Sequence, residues 1–176
     1  MKLGVRLILS LVFLLLLPGR WSASQRAPGA TPPLLAEQHY EQGMLALRKG
    51  DLRTAIRKLR LAVKYAPKSP PAHNSLGCAF LENGQVDAAV TEFRKAIALG
   101  PTFTEAYMNM GRALERRKDL DAAIQFYQYA VRQRPDWADA HLALGMALRA
   151  KGEHVQAAAE FEKARELDPR LRPPRD

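Results

Sequence analysis

Gly43, Gly77, Gly111 and Gly145 stand 34 residues apart, and no other feature of the sequence constrains the fold as tightly. Ala55, Ala89, Ala123 and Ala157 keep the same step, as do Ala62, Ala96, Ala130 and Ala164. Pro67, Pro101, Pro135 and Pro169 form another such column. Between the two alanine columns lies a large residue: Leu59, Phe93, Tyr127, Phe161. A unit of this length cannot bury its own apolar face, so its copies must stack into one continuous core.

Each unit reads as two helices. HNSLGCAFLENG and VDAAVTEFRKAIAL both carry apolar residues at helical spacing, which predicts an all-α chain. Short helices approach closely only where side chains are small. The glycine of the first helix and the first alanine of the second are therefore the expected contact points, the second alanine admits the next unit, and the large column fills the wider gap. Gly50, Gly84 and Gly152 fall between the helices, where a left-handed residue is favoured. Lys118 stands there in the third unit, so that turn is expected to be strained or differently made. The closing proline stops the second helix.

These columns closely resemble the tetratricopeptide repeat (TPR) family over residues 36–171, with repeats at 36–69, 70–103, 104–137 and 138–171. Glycine stands at position 8, and the alanine, large, alanine and proline columns at positions 20, 24, 27 and 32. His39, His73, Tyr107 and His141 occupy position 4, where the family favours Trp or Leu. The resemblance implies a right-handed superhelical solenoid of four helix-turn-helix units, helix A of each lining a concave groove. In the fourth repeat the outward apolar positions become His154, Ala158 and Arg165. A terminal repeat needs a polar outer face, so that repeat is expected to be its own cap and the array to end there.

Before the repeats, Lys2 and Arg6 precede an apolar run from Leu7 to Leu17 that Pro18 and Gly19 break. The run is short of the about 20 residues a spanning helix needs, and it suits a signal peptide over 1–24 cut after Ser24. The alternative is an uncleaved anchor formed by residues 3–17. Residues 25–35, opening QRAPGATPP, read as a flexible linker and 172–176 as a tail. The expected location is therefore outside the cytoplasm, periplasmic or secreted, or tethered to a membrane.

The formal net charge is +9, but it is unevenly placed. Residues 1–35 contribute +4 and the first repeat +5, whereas each of the remaining repeats stays within one unit of neutrality. Arg53, Arg57, Arg60 and Lys64 recur at helical spacing and share one face. That face reads as a solvated surface, the alternative being docking to anionic lipid, phosphate or nucleic acid.

Chemistry is sparse. His39, His73 and His141 sit whole repeats apart and cannot converge on one metal ion, and no nucleophile or phosphate-loop motif is present. The single cysteine, Cys78, reads as a small packing residue rather than a reactive thiol. No catalysis, metal, cofactor or small-molecule substrate is expected. The resemblance implies that the groove carries function: Tyr40, Met44, Met108, Leu142 and Met146 as an adaptable apolar lining, with Asn74, Asn109 and Arg112 for a peptide main chain and Cys78 among them. Several of these could equally pack between adjacent A helices. Chaperone-binding members of the family clamp a terminal carboxylate with lysine, asparagine and arginine. The corresponding positions here, Tyr40, Met44, Ser75, Glu105 and Asn109, or Asn74, Cys78, Asn109, Asp139 and Ala143, lack that cationic clamp. The expected function is a non-catalytic, exported scaffold that docks a partner's peptide or helix in the concave groove, such as an envelope-complex assembly factor. The alternatives are a membrane-anchored adaptor, or nucleic-acid or anionic-surface binding through the basic face of repeat one.

Overall fold

The computed structural model describes residues 31–171. These form eight helices and no strand: α1 (Pro32–Arg48), α2 (Leu52–Tyr65), α3 (Pro70–Glu82), α4 (Val86–Leu99), α5 (Thr104–Arg116), α6 (Leu120–Gln133), α7 (Ala138–Lys151) and α8 (His154–Leu167). Odd-numbered helices are the A helices and even-numbered ones the B helices. Each helix packs on its neighbours in the chain, and α3 also touches α1 and α5, so A helices lie side by side. The result is an all-α repeat solenoid with one core running through it.

Every alanine of the two periodic columns is buried, none more than 1% exposed. The glycine column meets the large residue most closely, and in the fourth repeat the expected alanine as well, with the Ala157 carbonyl 3.2 Å from a Cβ built on Gly145. A Cβ built on Gly43 would lie 2.7 Å from Leu59 Cγ, and one on Gly77 would lie 2.6 Å from Phe93 Cε1. On Gly111 it would strike the Tyr127 ring, and on Gly145 the Phe161 ring at 2.6 Å. The large residue of helix B thus lies directly on the bare backbone of helix A within its own repeat. It does not fill a gap further out. Phe93, Tyr127 and Leu59 are the largest fully buried side chains for that reason.

The turns repeat as regularly as the core. In each A–B turn the left-handed residue donates its N–H three residues back, and the next residue donates five residues back. Gly84 bonds Leu81 and Gln85 bonds Phe80, for example, and this is the Schellman closure. Gly50, Gly84 and Gly152 have φ of 74°, 75° and 90°. Lys118, expected to mark a strained or different turn, follows the same path with φ 63° and the same two bonds, to Glu115 and from Asp119 to Leu114. The turn is unchanged and the strain sits on the lysine Cβ. Lys118→Gly is therefore expected to raise stability by about 0.5–1 kcal/mol, the steric relief exceeding the added unfolded-state entropy. An unchanged or lower urea midpoint would contradict this.

Helix α1 begins at Pro32, inside the stretch 25–35 read as linker. Two prolines suit the first positions of a helix, where φ is already correct and no N–H is required, and Leu34 and Leu35 then propagate it. At the far end, His154, Ala158 and Arg165 are exposed, as their polar or small character anticipates. The segment 1–24 read as signal or anchor, most of the linker and the tail 172–176 lie outside the described residues. Among the described residues no helix is long and apolar enough to cross a membrane.

Candidate functional site

Polar side chains stitch the first three A helices side by side. Ser75 Oγ donates to the Tyr40 hydroxyl at 3.2 Å, Asn109 Nδ2 donates to Asn74 Oδ1 at 3.0 Å, and Arg116 Nη1 donates to the Leu81 carbonyl at 3.3 Å. Each bond joins residues 35 apart, one more than the repeat period. The helices are thus staggered so that position n of one repeat meets position n+1 of the next. Comparing the repeats at that offset would have found these pairs in the sequence; aligning like with like does not.

These bonds sort the expected groove residues. Asn74 and Met108 are buried, at 9% and 8% exposure, and belong to the seams between helices rather than to a ligand surface. Tyr40, Met44, Cys78, Asn109 and Leu142 are half-buried, while Arg112 and Met146 are exposed. Leu45 on α1, absent from the expected lining, is 46% exposed. Arg112 lies 4.0 Å from the Glu82 carboxylate across the α3–α5 seam. Glu115, on the same helix, accepts a bond from the buried Tyr127 hydroxyl. Burial first, and then that carboxylate, raise the Tyr127 pKa far above the ordinary phenol value. What remains accessible is an apolar row from repeats one and four flanking a polar centre at Asn109 and Arg112.

Cys78 is a free, half-buried thiol on α3. Burial pushes its thiol up to about 11, with Arg112 opposing and Glu82 adding to the rise. A thiol held protonated is a poor nucleophile. Among the described residues no group of three or more His, Cys, Asp or Glu side chains could hold a metal ion.

Two of the histidines act as latches between repeats. His73 Nε2 donates to the carbonyl of Pro67, the last proline of the preceding repeat, at 3.0 Å, and Nδ1 lies 2.6 Å from Glu92 Oε2 on α4. His141 repeats this with Pro135 at 3.0 Å and Glu160 at 2.6 Å. In the third repeat Tyr107 and Tyr129, stacked with centroids 3.8 Å apart, both donate to Pro101. In the first, Lys58 stands where Glu92 and Glu160 stand, and His39 Nδ1 is buried without a partner while its ring stacks on Tyr65. The position-4 column therefore serves the junctions in repeats two, three and four, and not in the first. The signal was the glutamate 19 residues after each latch histidine.

Arg53, Arg57, Arg60 and Lys64, expected to share a helix face, line one open cleft of about 660 Å³ together with Ile56, Leu61, Asn83 and Gln85. This cleft lies between α2 and the α3–α4 turn and contains no A-helix residue of the expected groove.

Two family models described as tetratricopeptide repeat match the chain, one over residues 40–102 and 74–136 and the other over 138–171. Among solved structures, a crystal structure of MamA is similar at 27% identity and a TM-score of 0.71, covering 77% of this chain and 79% of that one. The TPR domain of Arabidopsis OM64 shares the fold at 20% identity and a TM-score of 0.65, covering 67% of this chain and 98% of that one. So does the first TPR of Spaghetti (RPAP3) bound to the HSP90 peptide SRMEEVD, at 21% identity and a TM-score of 0.66, covering 68% and 95%. No curated protein sequence matches the chain.

Proposed function

Because the chain belongs to the tetratricopeptide repeat family, we propose that it is a non-catalytic scaffold docking a peptide or helix of a partner protein on its A-helix face. The observation that carries this reading is the row of side chains left over once the seams are built. Tyr40, Met44, Leu142 and Met146 stay accessible, and Met146 is 42% exposed. Methionine adapts to ligands of varied shape, and an apolar face flanking polar groups suits capture of an amphipathic segment. The RPAP3 domain that shares this fold holds a peptide, which is consistent with such use. The cationic clamp expected for a chaperone tail is absent here, so the partner differs in chemistry. Export follows from the N-terminal apolar run, and an envelope assembly role is the setting that fits a secreted scaffold.

The test is an affinity capture from the envelope fraction of the native host with the full-length tagged protein, comparing wild type with Met44→Glu/Met146→Glu. Both side chains are accessible, so the variant is expected to fold as the wild type does and to lose its partner by at least tenfold. A partner retained by the variant would remove the A-helix face as the docking site. N-terminal sequencing of the same material bears on export, with Gln25 the expected first residue.

A further inference from the structure

The cleft beside α2 has properties that neither the core nor the A-helix face explains. Arg53, Arg57, Arg60 and Lys64 are all exposed, and among the described residues none of them has a carboxylate within 4.0 Å, although Arg57 and Arg53 lie near enough to Asp51 to help its Thr54 hydrogen bond hold the carboxyl below the usual range. Arg60 lies over the Phe80 ring, at 5.4 Å, and Lys64 over Tyr65, at 5.9 Å, so two of the four are steadied by aromatic rings without being neutralised. The cations span eleven helical steps from Arg53 to Lys64, roughly 16 Å. Between them lie Ile56 and Leu61, which give the cleft an apolar floor. Asn83 and Gln85 form the opposite wall with exposed amides, and Gln85 opens α4 without capping it.

We propose that this cleft is a second docking site, which takes a short extended acidic segment of a partner protein. Carboxylates match the arginine forks, and side-chain amides carry the donor and acceptor that a peptide unit needs. A helical ligand satisfies its main chain internally and would leave those amides unused. An extended segment covering roughly 16 Å has about five residues, with alternate side chains facing the cations and the floor. Nucleic acid fits less well. No aromatic side chain lines the cleft to stack a base. Asp51, at the start of α2, also sets a negative charge beside Arg57 and Arg53 at one end of the row and would repel a polyanion running past it. A second copy of this chain is a poor occupant as well. Five of the six acidic residues of the last repeat are engaged at home, Glu153 with Lys151, Glu160 with His141, Glu162 with Arg165, Glu166 with Lys163 and Asp168 with Arg170, and Asp139 alone is no match for four cations.

The experiment is fluorescence anisotropy of the full-length chain with three probes: a labelled seven-residue peptide alternating Glu and Val, its Gln-for-Glu counterpart, and an oligothymidylate. The expected result is saturable binding of the Glu peptide alone, weakened at least tenfold in Arg53→Gln/Arg57→Gln/Lys64→Gln. Asn83→Ala/Gln85→Ala should weaken it to a smaller extent, and Arg94→Gln/Arg132→Gln, which removes two exposed arginines elsewhere, should leave it unchanged. None of these side chains belongs to the core, and equal thermal midpoints would establish that each variant is folded. Absence of binding, or binding kept by the triple variant, would overturn the proposal. An oligothymidylate bound as tightly as the peptide, and lost in the same variant, would overturn it in favour of nucleic acid. Met44→Glu/Met146→Glu should bind the peptide normally, so failure of the A-helix reading and failure of this one are separable.

Discussion

Phe93→Ala is expected to lower the free energy of unfolding by about 3–5 kcal/mol, near the upper end of that range. The ring is completely buried and lies on Gly77, which has no side chain with which to close the void. The flanking alanines, Ala89 and Ala96, cannot reach into it either. Phe93→Leu should cost only about 1 kcal/mol, since Leu59 already occupies the equivalent place over Gly43 in the first repeat. Urea denaturation followed by circular dichroism separates the two. A Phe93→Ala loss no larger than that of Phe93→Leu would mean that the glycine contact does not organise the repeat. The second repeat lies inside the array, and solenoid stability is a sum over neighbouring interfaces. The same variant should therefore broaden the unfolding transition as the first repeat uncouples from the last two.

The second large effect is expected at the latch. His73→Leu removes a ring that bonds Pro67 and Glu92 and leaves the buried Glu92 carboxylate with Lys95 as its ion-pair partner. The expected loss is about 1–3 kcal/mol, because the buried Glu92 Oε2 and the Pro67 carbonyl both lose their hydrogen-bond partner while Lys95 still holds Oε1. The double variant His73→Leu/Glu92→Leu should be less destabilised than the single one, because both polar groups leave together. The sign of the coupling in this cycle is the readout. A double variant as unstable as the sum of the singles would show that ring and carboxylate act independently.

The repeat boundaries, the helix pairs and the buried columns were legible in the sequence because the periodic residues are those that sterics fixes. A glycine under a ring and an alanine between helices have no substitutes at that spacing. The nearest partner of the glycine, the large residue, was missed because a column shows which residue is small and not which neighbour made it so. The start of α1 was missed because proline reads as a breaker in composition, although at a helix start it is a favourable residue. Of the site, Asn74 and Met108 were placed in the groove by register alone, whereas the one-residue stagger between A helices sends them into the seams. The basic face was legible as a stripe. Its cleft was not, because Asn83 and Gln85 reach it from another repeat.

Every turn of the array is closed by bonds that count residues. Helices A and B are joined by the three-back and five-back pair. Between repeats, Ser69 bonds Ala66, Phe103 bonds Gly100 and Trp137 bonds Arg134, each at the same step, and the latch reaches back six residues to a proline carbonyl. A single inserted residue in any of these turns would break a closure and leave a backbone donor and a helix-end carbonyl without their partners. Genetic change in length is thereby filtered. Small insertions and deletions in the turns are expected to cost stability, whereas duplication or loss of a whole unit keeps every closure intact.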